Sequence, residues 1–148
     1  MNISVLHYPN KALRALCGPV KTVTPGIEKL VLSMIETMIA QRGAGLAAPQ
    51  IGSRLRIFVV DIGGVRVFIN PQITSLSENI RGGSEGCLSI PGVAAWVERP
   101  ESLTIKALDL QGNKFALEAT GLLARVIQHE YDHLKGTLMI DRAGAHHS

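Results

Sequence analysis

Gln128-His129-Glu130-Tyr131-Asp132-His133 places two histidines four residues apart, with a glutamate directly after the first. On a helix, positions i and i+4 share one face, a turn apart. Both imidazoles then reach one metal ion, and the glutamate stands beside it as a proton carrier. This is the H-E-x-x-H arrangement of metal-assisted hydrolysis. The flanking residues support a helix. At about 100° per residue, Leu122, Leu123, Val126, Ile127 and Leu134 fall in one apolar sector. Glu130 and His133 fall inside that sector and His129 at its edge; Ala124, Arg125, Gln128, Tyr131 and Asp132 take the other side. An unpaired glutamate on an apolar face costs several kcal/mol, so this one needs partners, and a metal with its water supplies them. The plainer reading of the segment alone is a helix with two hydrogen-bonded core histidines.

Working outward, the helix is expected from about Thr120 to Lys135, with Gly136 as its C-terminal stop. Near the N-terminus, Thr24-Pro25 reads as an N-cap with proline at the first helical position. Ile27, Leu30, Val31, Met34, Ile35, Met38 and Ile39 then follow at helical spacing, so both methionines belong to a core stripe that ends near Gln41-Arg42-Gly43. Gly43-Ala44-Gly45-Leu46-Ala47-Ala48-Pro49-Gln50 reads as a close-packed loop. Arg56–Asp61 and Val65–Asn70 read as a hairpin around Gly63-Gly64, and Leu103–Asp109 and Lys114–Glu118 as a second pair around Gln111-Gly112-Asn113. The glycine-rich stretch Arg81–Gly86 leads into Cys87. Helix, strands, then helix favours an α+β fold, with antiparallel or mixed sheets around the C-terminal H-E-x-x-H helix, over a βαβ repeat.

The 148 residues suit one domain spanning 1–148. At 46% hydrophobic and 18% charged, the composition fits a globular protein and argues against disorder. The net charge of +3 is carried by scattered Lys and Arg, with no run that would track a phosphate backbone. No apolar stretch approaches the ~20 residues of a membrane span, and the opening Met1–His7 segment lacks a signal-peptide pattern. A cytoplasmic protein, acting as a monomer without membrane contact, is expected. Of the two cysteines, Cys17 sits in a short apolar segment and reads as a small buried hydrophobe.

Two histidines leave a catalytic metal one protein ligand short. Downstream stand Asp141, at a spacing that matches no familiar ligand motif, and His146-His147 in a Gly/Ala-rich tail that reads as frayed. The better candidate is Cys87 in Glu85-Gly86-Cys87-Leu88-Ser89, where glycines on the N-terminal side let the backbone bend close to an ion.

With these residues in view, the chain resembles peptide deformylases. Gly43–Gln50, Glu85–Ser89 and Gln128–His133 look like that family's three signature motifs, in its order and at compatible distances, and the likeness runs from Val5-Leu6-His7-Tyr8-Pro9 to Leu138-Met139-Ile140-Asp141. The resemblance implies removal of the formyl group from N-terminal formylmethionine of nascent polypeptides by attack of a metal-bound water. It implies one divalent ion held by Cys87, His129 and His133: Fe(II) in the cell, with Zn, Ni or Co as isolated alternatives. It implies Glu130 as general acid and base, and Gln50 with the Leu88 backbone N–H as oxyanion donors. It makes Gly45, Ala44 and Glu85 the candidate substrate-binding residues, Gly45 by letting the substrate pair as an added strand. Glu85 and Arg99 read either as an ion pair bracing the Cys87 loop or as two solvated charges. Asp132, on the polar face, reads either as a support behind the ligands or as a surface residue, with a structural role favoured; Gln128 reads as a loop-orienting or water-facing residue, Trp96 as packing near the rim, and His7 as a surface or satisfied core histidine. Two departures stand out. Ala44 is smaller than the branched residue common between the first motif's glycines, which leaves the pocket roomier. The stretch after the third motif is short and lacks the further C-terminal helix that many bacterial members carry, which leaves open the transient ribosome contact that the resemblance implies.

Two rival readings remain at this level. A zinc peptidase cutting internal bonds would want a downstream ligand and has no use for the Cys87 motif. A structural metal or peptide-binding module would close its ion with four protein ligands, and three good candidates are found.

Overall fold

The computed structural model describes residues 3–144; Met1, Asn2 and the His146-His147 tail lie outside the described residues. Helix α1 spans Pro25–Ala40, opened by Thr24, whose side chain accepts from the Ile27 N–H at 3.2 Å. Strands β1 (Gly45–Ala47), β2 (Ile57–Asp61), β3 (Val65–Leu76), β6 (Ser102–Leu108) and β7 (Lys114–Thr120) form an antiparallel sheet in the order β1-β2-β3-β6-β7. Strands β4 (Ile80–Cys87) and β5 (Ile90–Pro100) form a separate antiparallel hairpin. Helix α2 covers Gly121–His133, and a short helix α3 covers Met139–Arg142.

The five-stranded sheet lies between α1 and α2. Alternation along β2 shows how: Ile57 and Val59 pack with Val31, Met34 and Met38 of α1, whereas Phe58 and Val60 pack with Ala124 and Ile127 of α2. All four strand residues are fully buried, as expected of a strand covered on both faces. The β4–β5 hairpin covers the far side of α2. That helix is therefore enclosed between a sheet and a hairpin, the central position expected of it.

Three expectations change. The Gly43–Gln50 segment is not all loop. Leu46 and Ala47 pair with Val59 and Phe58 to make β1, followed by a 3-10 turn over Ala48–Ile51. Strand β3 runs past Asn70, because Asn70 takes a positive φ of 52° and the register shifts between Ile69 and Gln72. This bulge moves the strand from pairing with β2 to pairing with β6. The β4–β5 hairpin is new. Gly82, Gly83, Gly86, Pro91 and Gly92 argue against strands by local preference, and packing against α2 and the C-terminal segment overrides it. Val97 bridges to Ala143, and the Gly144 N–H donates to the Trp96 carbonyl at 2.9 Å.

Candidate metal centre

The sheet and the hairpin deliver their functional groups to α2 from opposite sides. Cys87 stands at the end of β4, where the hairpin turns through Leu88 and Ser89. His129 and His133 lie on α2. Their ligand atoms and the Cys87 sulfur all fall within 4.8 Å of one another, and Cys87 Sγ is 3.5 Å from His133 Nε2. His129 Nδ1 meets Glu85 Oε1 at 2.9 Å, which leaves Nε2 as the ring nitrogen for the shared centre. A carboxylate on the outer nitrogen of a ligating histidine fixes its tautomer and ring orientation.

This donor set fits a divalent transition metal. One sulfur and two imidazole nitrogens converge with no fourth protein ligand grouped with them among the described residues, the pattern of an open catalytic site. Two buried polar atoms at the same place, Glu130 Oε1 and His133 Nδ1, have no hydrogen-bond partner among the described residues, although buried polar groups are nearly always satisfied. Burial holds His133 well below the ordinary histidine range, in the neutral form that ligates. For His129, burial works against a charge. The contacts with Cys87 and Glu85 and the Glu130 charge outweigh it and push the pKa up to about 10. Surroundings that hold a proton so firmly also favour a metal cation in its place.

Glu130 is 4% exposed, and burial pushes its carboxyl up to about 7. It lies against Gly45. A Cβ there would stand 2.5 Å from Glu130 Oε2, so only glycine at this position of β1 leaves room for the carboxylate. Gly45 thus has a packing reason of its own, apart from the substrate approach expected of it. Gln50 is buried too, and its orientation is settled by its neighbours. Its Oε1 accepts from the Ala47 N–H at 2.8 Å, so the NH2 group points away, donating to Ser89 Oγ at 3.0 Å and lying 3.7 Å from Cys87 Sγ. A cleft of about 770 Å³ opens onto this centre, with Gly43, Ala44, Gly45, Gln50, Leu88 and Glu130 among its lining.

The Glu85–Arg99 question resolves as a buried pair: Arg99 Nε donates to Glu85 Oε2 at 2.6 Å and Nη2 to Oε1 at 2.9 Å. Arg125 Nη1 adds a bond to Oε2 at 2.7 Å. With His129 on Oε1, both oxygens of Glu85 are engaged, and these contacts hold its pKa down to about 2 against the opposing effect of burial. Glu85, expected to bind substrate, lines the cleft but is only 6% exposed, and its oxygens are occupied by Arg99, Arg125 and His129. The outer side of α2 is corrected. Gln128 and Asp132 are buried, whereas Leu122 of the apolar sector is exposed. Gln128 donates to the Pro100 carbonyl at 2.9 Å, and Asp132 accepts from Arg99 at 3.0 Å and from Arg142 Nε at 2.5 Å. Trp96 is partly exposed and overlies Gly82, His7 is exposed at the cleft, and Cys17 is buried.

Arg125 and Ser89 were not among the candidates. The signals were available: residue 125 precedes His129 by one helical turn and shares its face, and Ser89 closes the Cys87 motif.

The model of the polypeptide deformylase family matches residues 3–147. The chain is 51% identical to peptide deformylase 1 of Clostridium perfringens over 135 residues, covering 89% of this chain and 91% of the relative. It is 45% identical to the peptide deformylase of Azotobacter vinelandii over 143 residues, covering 94% and 85%. Among solved structures, the peptide deformylase of Thermotoga maritima superposes with a TM-score of 0.95 at 37% identity, covering 97% of this chain and 99% of the other. That of Synechococcus elongatus, solved in complex with actinonin, gives 0.94 at 38%, covering 97% and 80%.

Proposed function

Because the chain belongs to the peptide deformylase family, we propose that its cleft receives a peptide beginning with N-formylmethionine and that Cys87, His129 and His133 hold the metal that family uses. The enzyme is a hydrolase that removes the N-formyl group from nascent peptides. The observation that carries the assignment of residues is the convergence of the three donors within 4.8 Å beside the buried Glu130, whose Oε1 has no hydrogen-bond partner among the described residues. A divalent ion there supplies Lewis acidity and lowers the pKa of a bound water toward neutrality.

The remaining steps fall to the chain's own side chains. Strand β1 ends the sheet order, so its second edge faces the cleft, free to take the substrate backbone as an added strand. Ala44 puts little bulk at the mouth. Glu130, with a pKa near 7, takes a proton from the attacking water and hands it to the leaving amine, as a general acid and base poised near the working pH does. The Gln50 NH2 group and the Leu88 backbone N–H donate to the oxygen that gains charge as the formyl carbon is attacked. Each such donor is typically worth about 3 kcal/mol of barrier. The Ala47 N–H on Gln50 Oε1 prevents the amide from presenting its oxygen instead. Fe(II) is the proposed ion in the cell.

Glu130→Gln tests this most sharply. Assayed anaerobically on formyl-Met-Ala-Ser with metal measured on the same sample, it should keep fold and metal and lose roughly 10²–10⁴-fold in kcat. Near-normal turnover, or a loss explained by shed metal, would remove Glu130 from the role.

A further inference from the structure

The three ligands assigned above come from two separate pieces of chain. Cys87 ends β4, whereas His129 and His133 lie on α2. Their mutual distances depend on how the hairpin is tied to the helix. Arg125 makes that tie to both strands. Its Nη1 donates to Glu85 Oε2 at 2.7 Å and to the Val97 carbonyl at 2.9 Å, and its Nη2 donates to the Arg81 carbonyl at 2.7 Å. Arg81 and Glu85 belong to β4 and Val97 to β5. The side chain is 13% exposed; its bonds to Glu85 and Val97 are partly buried, and its bond to the Arg81 carbonyl lies at the surface. The carboxylate it holds meets His129 through its other oxygen.

Gly83 makes the room. A Cβ at residue 83 would stand 2.9 Å from Arg125 Cζ and 3.0 Å from Nε. Gly83 is not among the glycines with positive φ, so its backbone would accept another residue. The guanidinium fills the space that a side chain at residue 83 would take, so a larger residue there displaces it.

We propose that Arg125, seated in the gap at Gly83, is a positioning residue for the metal centre: it clamps the Cys87 hairpin to α2 and sets Glu85, and through Glu85 the His129 ring. This rests on the reading of Cys87, His129 and His133 as the ligand set. An outer contact of this kind typically changes metal affinity 10–100-fold when removed. The role needs the planar fork, because Glu85 and Val97 are reached from Nη1 and Arg81 from Nη2, and one compact ammonium does not stand at both places.

The test uses the whole protein loaded with Co(II), reading the thiolate-to-cobalt and ligand-field absorption bands, the rate of metal loss to a chelator, and the urea midpoint. Arg125→Met and Gly83→Ala should each shift the bands and speed metal loss by about tenfold or more. Arg125→Lys should not restore the wild-type rate. The Gly83→Ala/Arg125→Met double variant should lose metal no faster than the faster single, because the added methyl harms only by displacing the guanidinium. Val31→Ala, in the α1 core, should lower the urea midpoint and leave bands and release unchanged. If Arg125→Met does not fold, Gly83→Ala and Arg125→Lys carry the same comparison. Wild-type bands and release in the Arg125 and Gly83 variants, full rescue by lysine, additive effects in the double variant, or release that follows the urea midpoint in Val31→Ala would each overturn the inference. A wild-type protein that binds no stoichiometric cobalt would overturn the ligand assignment itself, and this inference with it.

Discussion

Helices α1 and α2 pack on opposite faces of one sheet and are held there by different means. Helix α1 buries Val31, Met34, Thr37 and Met38, and its hold on β2 is apolar area, which is non-directional. Helix α2 buries Gln128, His129, Glu130, Asp132 and His133 together with Ala124 and Ile127. Apolar area holds its sheet side, but its hairpin side is held by directed bonds from Arg99, Arg142, Glu85 and the Pro100 carbonyl. A face held by area tolerates a similar volume in place of the original. A face held by paired charges tolerates no missing partner, and the same rigidity fixes the positions of His129 and His133.

The comparison breaks first at Arg99. Arg99→Met would leave Glu85 and Asp132 buried with one cation fewer between them, and losing one partner of a buried pair costs about 3–5 kcal/mol. The urea midpoint should fall accordingly, with metal retention falling alongside. A cost below about 1 kcal/mol would show that the polar side of α2 holds by area after all. On the other face, Met34→Ala should cost about 3 kcal/mol through the cavity it leaves, while kcat per folded molecule stays at the wild-type value. A lowered kcat there would erase the distinction between the two faces.

The smallest effect belongs to neither face. Asp141 pairs with Arg14 at the surface, with its second oxygen 3.1 Å from Arg14 Nη2, and the Arg14 hydrogen bond lowers its pKa below 3.8 despite slight burial. A depressed carboxylate contributes stability above its unfolded pKa and loses it as pH falls through the folded value. Asp141→Asn should therefore cost no more than about 0.5 kcal/mol at pH 7. The difference should vanish as pH falls through that lowered value. Urea midpoints at pH 7 and below that value check this, and a gap that widens in acid would contradict the sign.

How legible all this was in the sequence divides along the same line. Helix α1 follows from spacing and its Thr24-Pro25 start, because area-driven packing writes a period into the residues. The histidine pair and Glu130 are legible because a helical turn alone brings them together. Cys87 stands apart by some forty residues, and its place beside them needed a hairpin that Gly82, Gly83, Gly86 and Gly92 disguise. The burial of Gln128 and Asp132 was illegible for a related reason: polar residues on a helix face look solvated until the arginine that neutralises them is known. Arg99 and Arg142 approach from β5 and α3, and nothing local announces either. Gly83 shows the limit most plainly: the glycines before Cys87 read as room for the backbone to bend, and at residue 83 the room is filled by Arg125.

The central claim is that a cysteine from the hairpin and two histidines from α2 complete one metal centre. The direct measurement is metal content per chain, in the wild type and in Cys87→Ala, His129→Ala and His133→Ala, each checked for native circular dichroism. The account predicts close to one equivalent in the wild type and loss of stoichiometric binding in all three variants. Full retention of metal by folded Cys87→Ala would contradict it.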